Sequence, residues 1–108
     1  MAGGRVVKVE VLHTADCPNW RSAGDELRAA LDATGLTTIS IGFIEIESFE
    51  QAVRLSYAGS PTILIDGADL FPLEERAADM SCRVYETSAG LRGRPERSQI
   101  ERALRNRG

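Results

Sequence analysis

At 108 residues and 43% hydrophobic content, the chain carries enough apolar material for one domain with a single core and is too short for two or three. A formal charge of -3 and a pI near 5.1 argue against the basic footprint of a nucleic-acid-binding protein. No apolar run approaches the roughly 20 residues needed to cross a bilayer. The N-terminal MAGGRVV lacks the apolar stretch of a signal peptide, so a cytoplasmic setting without membrane contact is expected. In a reducing compartment the two cysteines are expected as free thiols or a transient redox pair, not a structural disulfide.

In chain order, Met1 to Gly4 reads as a tail with little to pack. Val7, Val9 and Val11 alternate with Lys8 and Glu10, which makes Arg5 to Leu12 a strand with one filled face. His13 to Asp16 form a short loop that delivers Cys17. Pro18 suits the first turn of a helix, where its missing N–H would have had no partner. Trp20, Ala23, Leu27, Ala30 and Leu31 continue at helical spacing, so the helix is predicted from Pro18 to about Thr34, with Gly35 at C′. Cys17 then falls at the helix N-cap, where unpaired amides and the positive end of the helix dipole favour the reactive thiolate. The neighbouring carboxylate of Asp16 opposes that effect.

Thr37 to Ile46 reads as a core strand. Ile39, Ile41 and Phe43 follow one alternation and Ile44 and Ile46 the other, so it is either bulged near Gly42 or buried on both faces. Ser48 and Gln51 have the spacing of a capping box, opening a short helix with Phe49, Ala52, Val53 and Ser56 on one side and its end near Gly59. Ile63 to Ile65 is a strand, and Asp66-Gly67 is a hairpin signal that turns it back at Ala68 to Phe71. Beyond Pro72, residues 73–79 suit one or two helical turns, 82–87 have strand composition and 88–94 read as a loop. Pro95 opens a closing helix with Ile100, Ala103 and Leu104 inward, and Arg102, Arg105 and Arg107 suit its negative end.

The succession of strand, Cys17-Pro18-Asn19-Trp20 and helix, followed downstream by Gly59-Ser60-Pro61-Thr62 before an apolar strand, resembles the thioredoxin superfamily. Within it the pattern resembles small bacterial one-cysteine (Cys-Pro-x-x) variants. The resemblance implies an α/β, thioredoxin-like fold in one domain, residues 1–108. Its central mixed sheet would have about four strands flanked by helices. The pattern covers roughly residues 5–71 and the last helix, with an extra segment near 72–94. It further implies that Pro61 is cis and lies beside Cys17. Trp20 stands where dithiol members carry their second cysteine, so a motif disulfide is impossible and the chemistry is that of a single thiol.

The chemistry so implied is thiol–disulfide exchange through Cys17, by way of a mixed disulfide with a thiol-containing protein or glutathione and without a cofactor. Cys82 is a candidate resolving thiol, or else a buried neighbour of Val84 and Tyr85. His13 is a candidate proton shuttle, or else a solvent-facing histidine. Pro18 and Trp20 would offer substrate an apolar surface, Trp20 being otherwise a shield for the thiol or ordinary core, and Ser60 and Thr62, flanking Pro61, would present backbone groups to an extended peptide or to glutathione.

Two other readings compete with this one. One is a binding or adaptor module that keeps the fold without the chemistry. The other is thiophilic metal or organomercurial-related thiol binding by Cys17 and Cys82, since some chains of this type carry an alkylmercury-lyase label. Organomercurial lyases place an aspartate three residues after the first cysteine, and here that position is Trp20. Two cysteines and one histidine in no zinc spacing give no metal site, and Glu45, Glu47, Glu74 and Glu75 read as surface charge.

Overall fold

The computed structural model of the chain describes residues 7–72 and 83–106. The expected tail, the helical turns at 73–79, Cys82 and Arg107 therefore lie outside the described residues. Within them the order is β1 (Val9–His13), α1 (Trp20–Ala33), β2 (Ile41–Glu45), α2 (Phe49–Arg54), β3 (Thr62–Ile65) and β4 (Ala68–Asp69). A hairpin, β5 (Tyr85–Thr87) and β6 (Gly90–Arg92), and α3 (Arg97–Asn106) complete it. Four strands form one mixed sheet in the order β2-β1-β3-β4. β2 runs parallel to β1, whereas β3 is antiparallel to β1 and β4 antiparallel to β3.

Strand alternation sorts the apolar side chains to the two faces of this sheet. Val9 and Val11 of β1 and Ile63 and Ile65 of β3 pack with Leu27, Ala30 and Leu31 of α1 and Ile100 of α3. On the opposite face Leu12 and Leu64 meet Ile46, Ala52 of α2 and Tyr57. The sheet is thus a middle layer with helices on both sides, which is why β1 and β3 carry apolar residues on both faces.

Helix α1 ends as Gly35 predicts. Gly35, at φ 87°, lets Leu36 N–H reach the Leu31 carbonyl at 2.8 Å and its own N–H reach Asp32 at 3.3 Å, the paired bonds of a Schellman motif. Arg28 fastens the following loop by donating to the carbonyls of Ile39 at 2.5 Å and Leu36 at 2.9 Å. Asp66 and Gly67, both with positive φ, make the tight turn between β3 and β4.

Several expectations change. β2 is an edge strand, not a core strand: among the described residues only β1 pairs with it, and Phe43 is 46% exposed. Its register from Val9↔Ile41 to His13↔Glu45 is unbroken and none of its residues is buried, so it is neither bulged nor buried on both faces. The capping box is half formed. Ser48 Oγ accepts from Gln51 N at 3.1 Å, but Gln51 Oε1 accepts from Glu47 N at 2.7 Å instead of from Ser48. Residues 88–94 are not a plain loop, because Gly90, at φ 96°, supplies the left-handed residue that folds β6 back on β5. Among the described residues no helix is long and apolar enough to cross a membrane.

Gly35 has open space where a side chain would begin, so a substitution there is felt through the backbone alone. Gly35→Ala is expected to cost about 1 kcal/mol and Gly35→Asn less. Urea denaturation checks this as a lower midpoint at unchanged slope.

Candidate functional site

The C-terminal end of β1 meets the loop that leads into β3. Thr14 N–H donates to Ser60 Oγ at 3.1 Å, and Thr14 carbonyl closes a turn by accepting from Cys17 N at 3.3 Å. That turn brings the Cys17 thiol inward, where it is 3% exposed and Sγ donates to the carbonyl oxygen of Ser60 at 3.7 Å. The helix begins later than the sequence implies. Its N-cap is Asn19, and Asn19 carbonyl accepts the first intrahelical bond, from Ala23 N at 2.9 Å. Cys17 therefore precedes the N-cap by two positions and makes its polar contact with the Ser60 loop. The helix-dipole argument loses force at that distance, since the effect decays within the first turn.

The loop itself is rigidly tied. Thr62 Oγ1 accepts from Ala58 N at 3.1 Å and donates to the Gly59 carbonyl, and the Ser60–Pro61 peptide bond is cis. Ser60 and Thr62 are fully buried and Pro61 is buried with them. They adjoin Cys17, but they are covered from outside by the chain's own residues 83–85.

This cover is the part of the site that sequence reasoning missed. Arg83 N–H donates to the Ser60 carbonyl at 2.7 Å, and Tyr85 hydroxyl donates to the Pro61 carbonyl at 2.5 Å. The Arg83 guanidinium is buried. It forms an ion pair with Asp69 at 2.9 Å, donates to the Phe71 carbonyl and lies over the Tyr85 ring at 4.6 Å. Gly59 is what allows the approach. A Cβ there would sit 2.9 Å from Arg83 Cβ, and φ at this residue is +105°. A charged residue between Cys82 and Val84 in a strand-like run was the available signal, because such a residue points inward only where a partner waits. That partner, Asp69 of β4, is distant in sequence.

His13 is buried, not solvent-facing. Its ring stacks on Trp20 at 4.2 Å with an interplanar angle of 11°, and Nδ1 lies 3.1 Å from the Thr14 carbonyl. A carbonyl only accepts, so Nδ1 carries a proton and, in the neutral ring, Nε2 holds the lone pair. Trp20 in turn meets the edge of Phe43 at 5.4 Å and carries Arg21 over its face at 5.1 Å. Trp20 is thus one member of an aromatic cluster between the start of α1 and edge strand β2. Pro18 is exposed beside the buried thiol. Cys82 lies outside the described residues. Among the described residues no group of three or more His, Cys, Asp or Glu side chains is arranged to hold a metal ion.

Compared with protein-family models, curated proteins and solved structures, the chain matches none of them.

Burial pushes the Tyr85 hydroxyl well above its ordinary value of 10.0, only partly offset by the Arg83 charge. The neutral phenol is the form the fold selects. In the unfolded chain Tyr85 ionises from about pH 10 upward while in the folded chain it stays protonated, so its contribution to stability is complete below about pH 10 and is lost above it. Tyr85→Phe is expected to flatten the alkaline fall of the unfolding midpoint relative to the parent chain. Denaturation followed across that pH range by circular dichroism checks it.

Proposed function

We propose that the chain is a thioredoxin-like thiol oxidoreductase that works through Cys17 as a single thiol. The observation that carries this reading is the contact of Cys17 Sγ with the Ser60 carbonyl at 3.7 Å, which sets the thiol against the loop of Pro61. Further support comes from the sheet order β2-β1-β3-β4, with one parallel and two antiparallel pairings and Cys17 between β1 and α1.

The chemistry is a pair of exchanges. Cys17 thiolate attacks one sulfur of a glutathione-containing disulfide, the S–S bond breaks, and a thiolate leaves as the Cys17–glutathione disulfide forms. A second glutathione thiolate then attacks the glutathione sulfur of that disulfide and releases Cys17. Cys82 is the alternative resolving thiol. In chain order it immediately precedes Arg83, whose amide ends on the same carbonyl as the Cys17 thiol. His13, one turn of chain before Cys17 and carrying its proton on Nδ1, is the candidate to take up or return a proton. Trp20 and Pro18 would bound the substrate on the other side.

A binding or adaptor role is favoured by a different observation. Cys17 is only 3% exposed, while Phe43, Phe49 and Val53 are apolar and largely exposed. Glutathione uptake separates the two readings. Reduced protein treated with glutathione disulfide is expected to gain one glutathionyl group, mapped to Cys17 by peptide mass spectrometry. Reduced glutathione should reverse the adduct and Cys17→Ser should abolish it. A wild-type chain that takes up none, or whose adduct survives Cys17→Ser, contradicts the oxidoreductase reading.

A further inference from the structure

The Ser60 carbonyl has two lone pairs, and the folded chain fills both: one accepts from Arg83 N–H and the other from the Cys17 thiol. Residues 83–85 alternate in the manner of an extended strand, with Arg83 and Tyr85 turned inward and buried and Val84 turned outward and 60% exposed. Each inward residue is tied to the rest of the fold by polar contacts. Arg83 bonds Ser60 through its backbone and Asp69 through its side chain, and Tyr85 bonds Pro61 through its hydroxyl. At Tyr85, which pairs with Arg92, the chain enters the β5–β6 hairpin, a sheet separate from the main one and held to the start of α3 and to α3 itself by Ser88–Glu96 and Glu86–Gln99 hydrogen bonds. Among the described residues, 83–85 pair with no strand of the four-stranded sheet, and what fastens them over the Ser60 loop is this set of bonds together with the contacts of Arg83 and Phe71 on the Tyr85 ring.

We infer that residues 83–85 are a strap that closes the Cys17 site, and that the thiol becomes accessible when the strap leaves the Ser60-Pro61 edge while the four-stranded sheet stays folded. Openings of a single segment below the global unfolding free energy are an ordinary property of proteins. The strap sets a condition on the reaction proposed above, and the inference rests on that reading only in taking Cys17 as the group being guarded. A disulfide cannot reach a thiol that is nearly enclosed, so the rate of exchange would be governed by strap release.

The test is alkylation of Cys17 by iodoacetamide under native conditions, in a Cys82→Ser background, with the modified peptide followed by mass spectrometry. Three chains are compared: the parent, Tyr85→Phe, which removes one tie without changing ring size, and Leu27→Ala, which weakens the core between α1, α3 and the sheet. Asp69→Asn repeats the first comparison through the ion pair. Tyr85→Phe is expected to label Cys17 roughly fivefold faster, the effect of losing one hydrogen bond on a local opening equilibrium. Leu27→Ala is expected to label at the parent rate, and in all three the rate is expected to be nearly independent of low concentrations of urea. If Leu27→Ala accelerates labelling as much as Tyr85→Phe, or labelling follows urea with the slope of global unfolding, the thiol is reached only by unfolding and the strap is refuted. Equal rates in the parent, Tyr85→Phe and Asp69→Asn would also refute it. Alkylation does not depend on glutathione chemistry. A chain that opens as described but never accepts glutathione would keep the strap and lose the oxidoreductase reading.

Discussion

The Ser60 carbonyl oxygen is the point on which the site turns. It receives the Cys17 thiol from the turn after β1 and the Arg83 amide from beyond β4, and it belongs to the loop that feeds β3. Three segments far apart in sequence therefore meet on one acceptor. A buried carbonyl without partners would be destabilising by a few kcal/mol, so the loop holds both donors in place as much as they hold it.

Buried polar groups surround that carbonyl, among them Thr14, Thr62 and Arg83. The Arg83–Asp69 pair is almost fully enclosed, and burying two charges is favourable only where geometry and extra hydrogen bonds compensate for lost hydration. Here Arg83 also donates to the Phe71 carbonyl and rests on the Tyr85 ring, while Asp69 accepts from Phe71 N–H at 2.9 Å. An apolar cover would seal the thiol at less electrostatic risk. A polar one fixes a single seating for residues 83–85 and concentrates its attachment in a few bonds that can be exchanged for others.

The elements of the main sheet were legible because their signals are local. Alternating valines mark β1, Asp66-Gly67 marks the β3–β4 turn, and Gly35 marks the end of α1, each for a backbone reason that does not depend on distant residues. The edge position of β2 was not legible, because Ile44 and Ile46 are apolar on one face and Ile39 and Ile41 on the other whether or not a further strand lies alongside. The start of α1 was misjudged by trusting Pro18 as the first helical residue. The turn closed by Thr14 and Cys17 delays the helix to Trp20 and directs the thiol to Ser60. The proximity of Cys17 to the Pro61 loop came from the resemblance of the two motifs and not from any periodicity. The cover by Arg83 and Tyr85 left only one local trace, a charged residue in a strand-like run, since the seating itself depends on an ion pair with Asp69 and on the absence of a side chain at Gly59.

The most direct measurement of the central claim is hydrogen exchange at the Arg83 backbone amide, resolved by NMR in the reduced protein. The account predicts slow exchange, with an opening free energy clearly above that of an exposed loop amide yet below those of Val11 and Ile63 in the sheet. Exchange at the unprotected rate would mean that the Arg83–Ser60 bond does not close the site, and exchange matching the sheet would mean that the segment does not open separately from it.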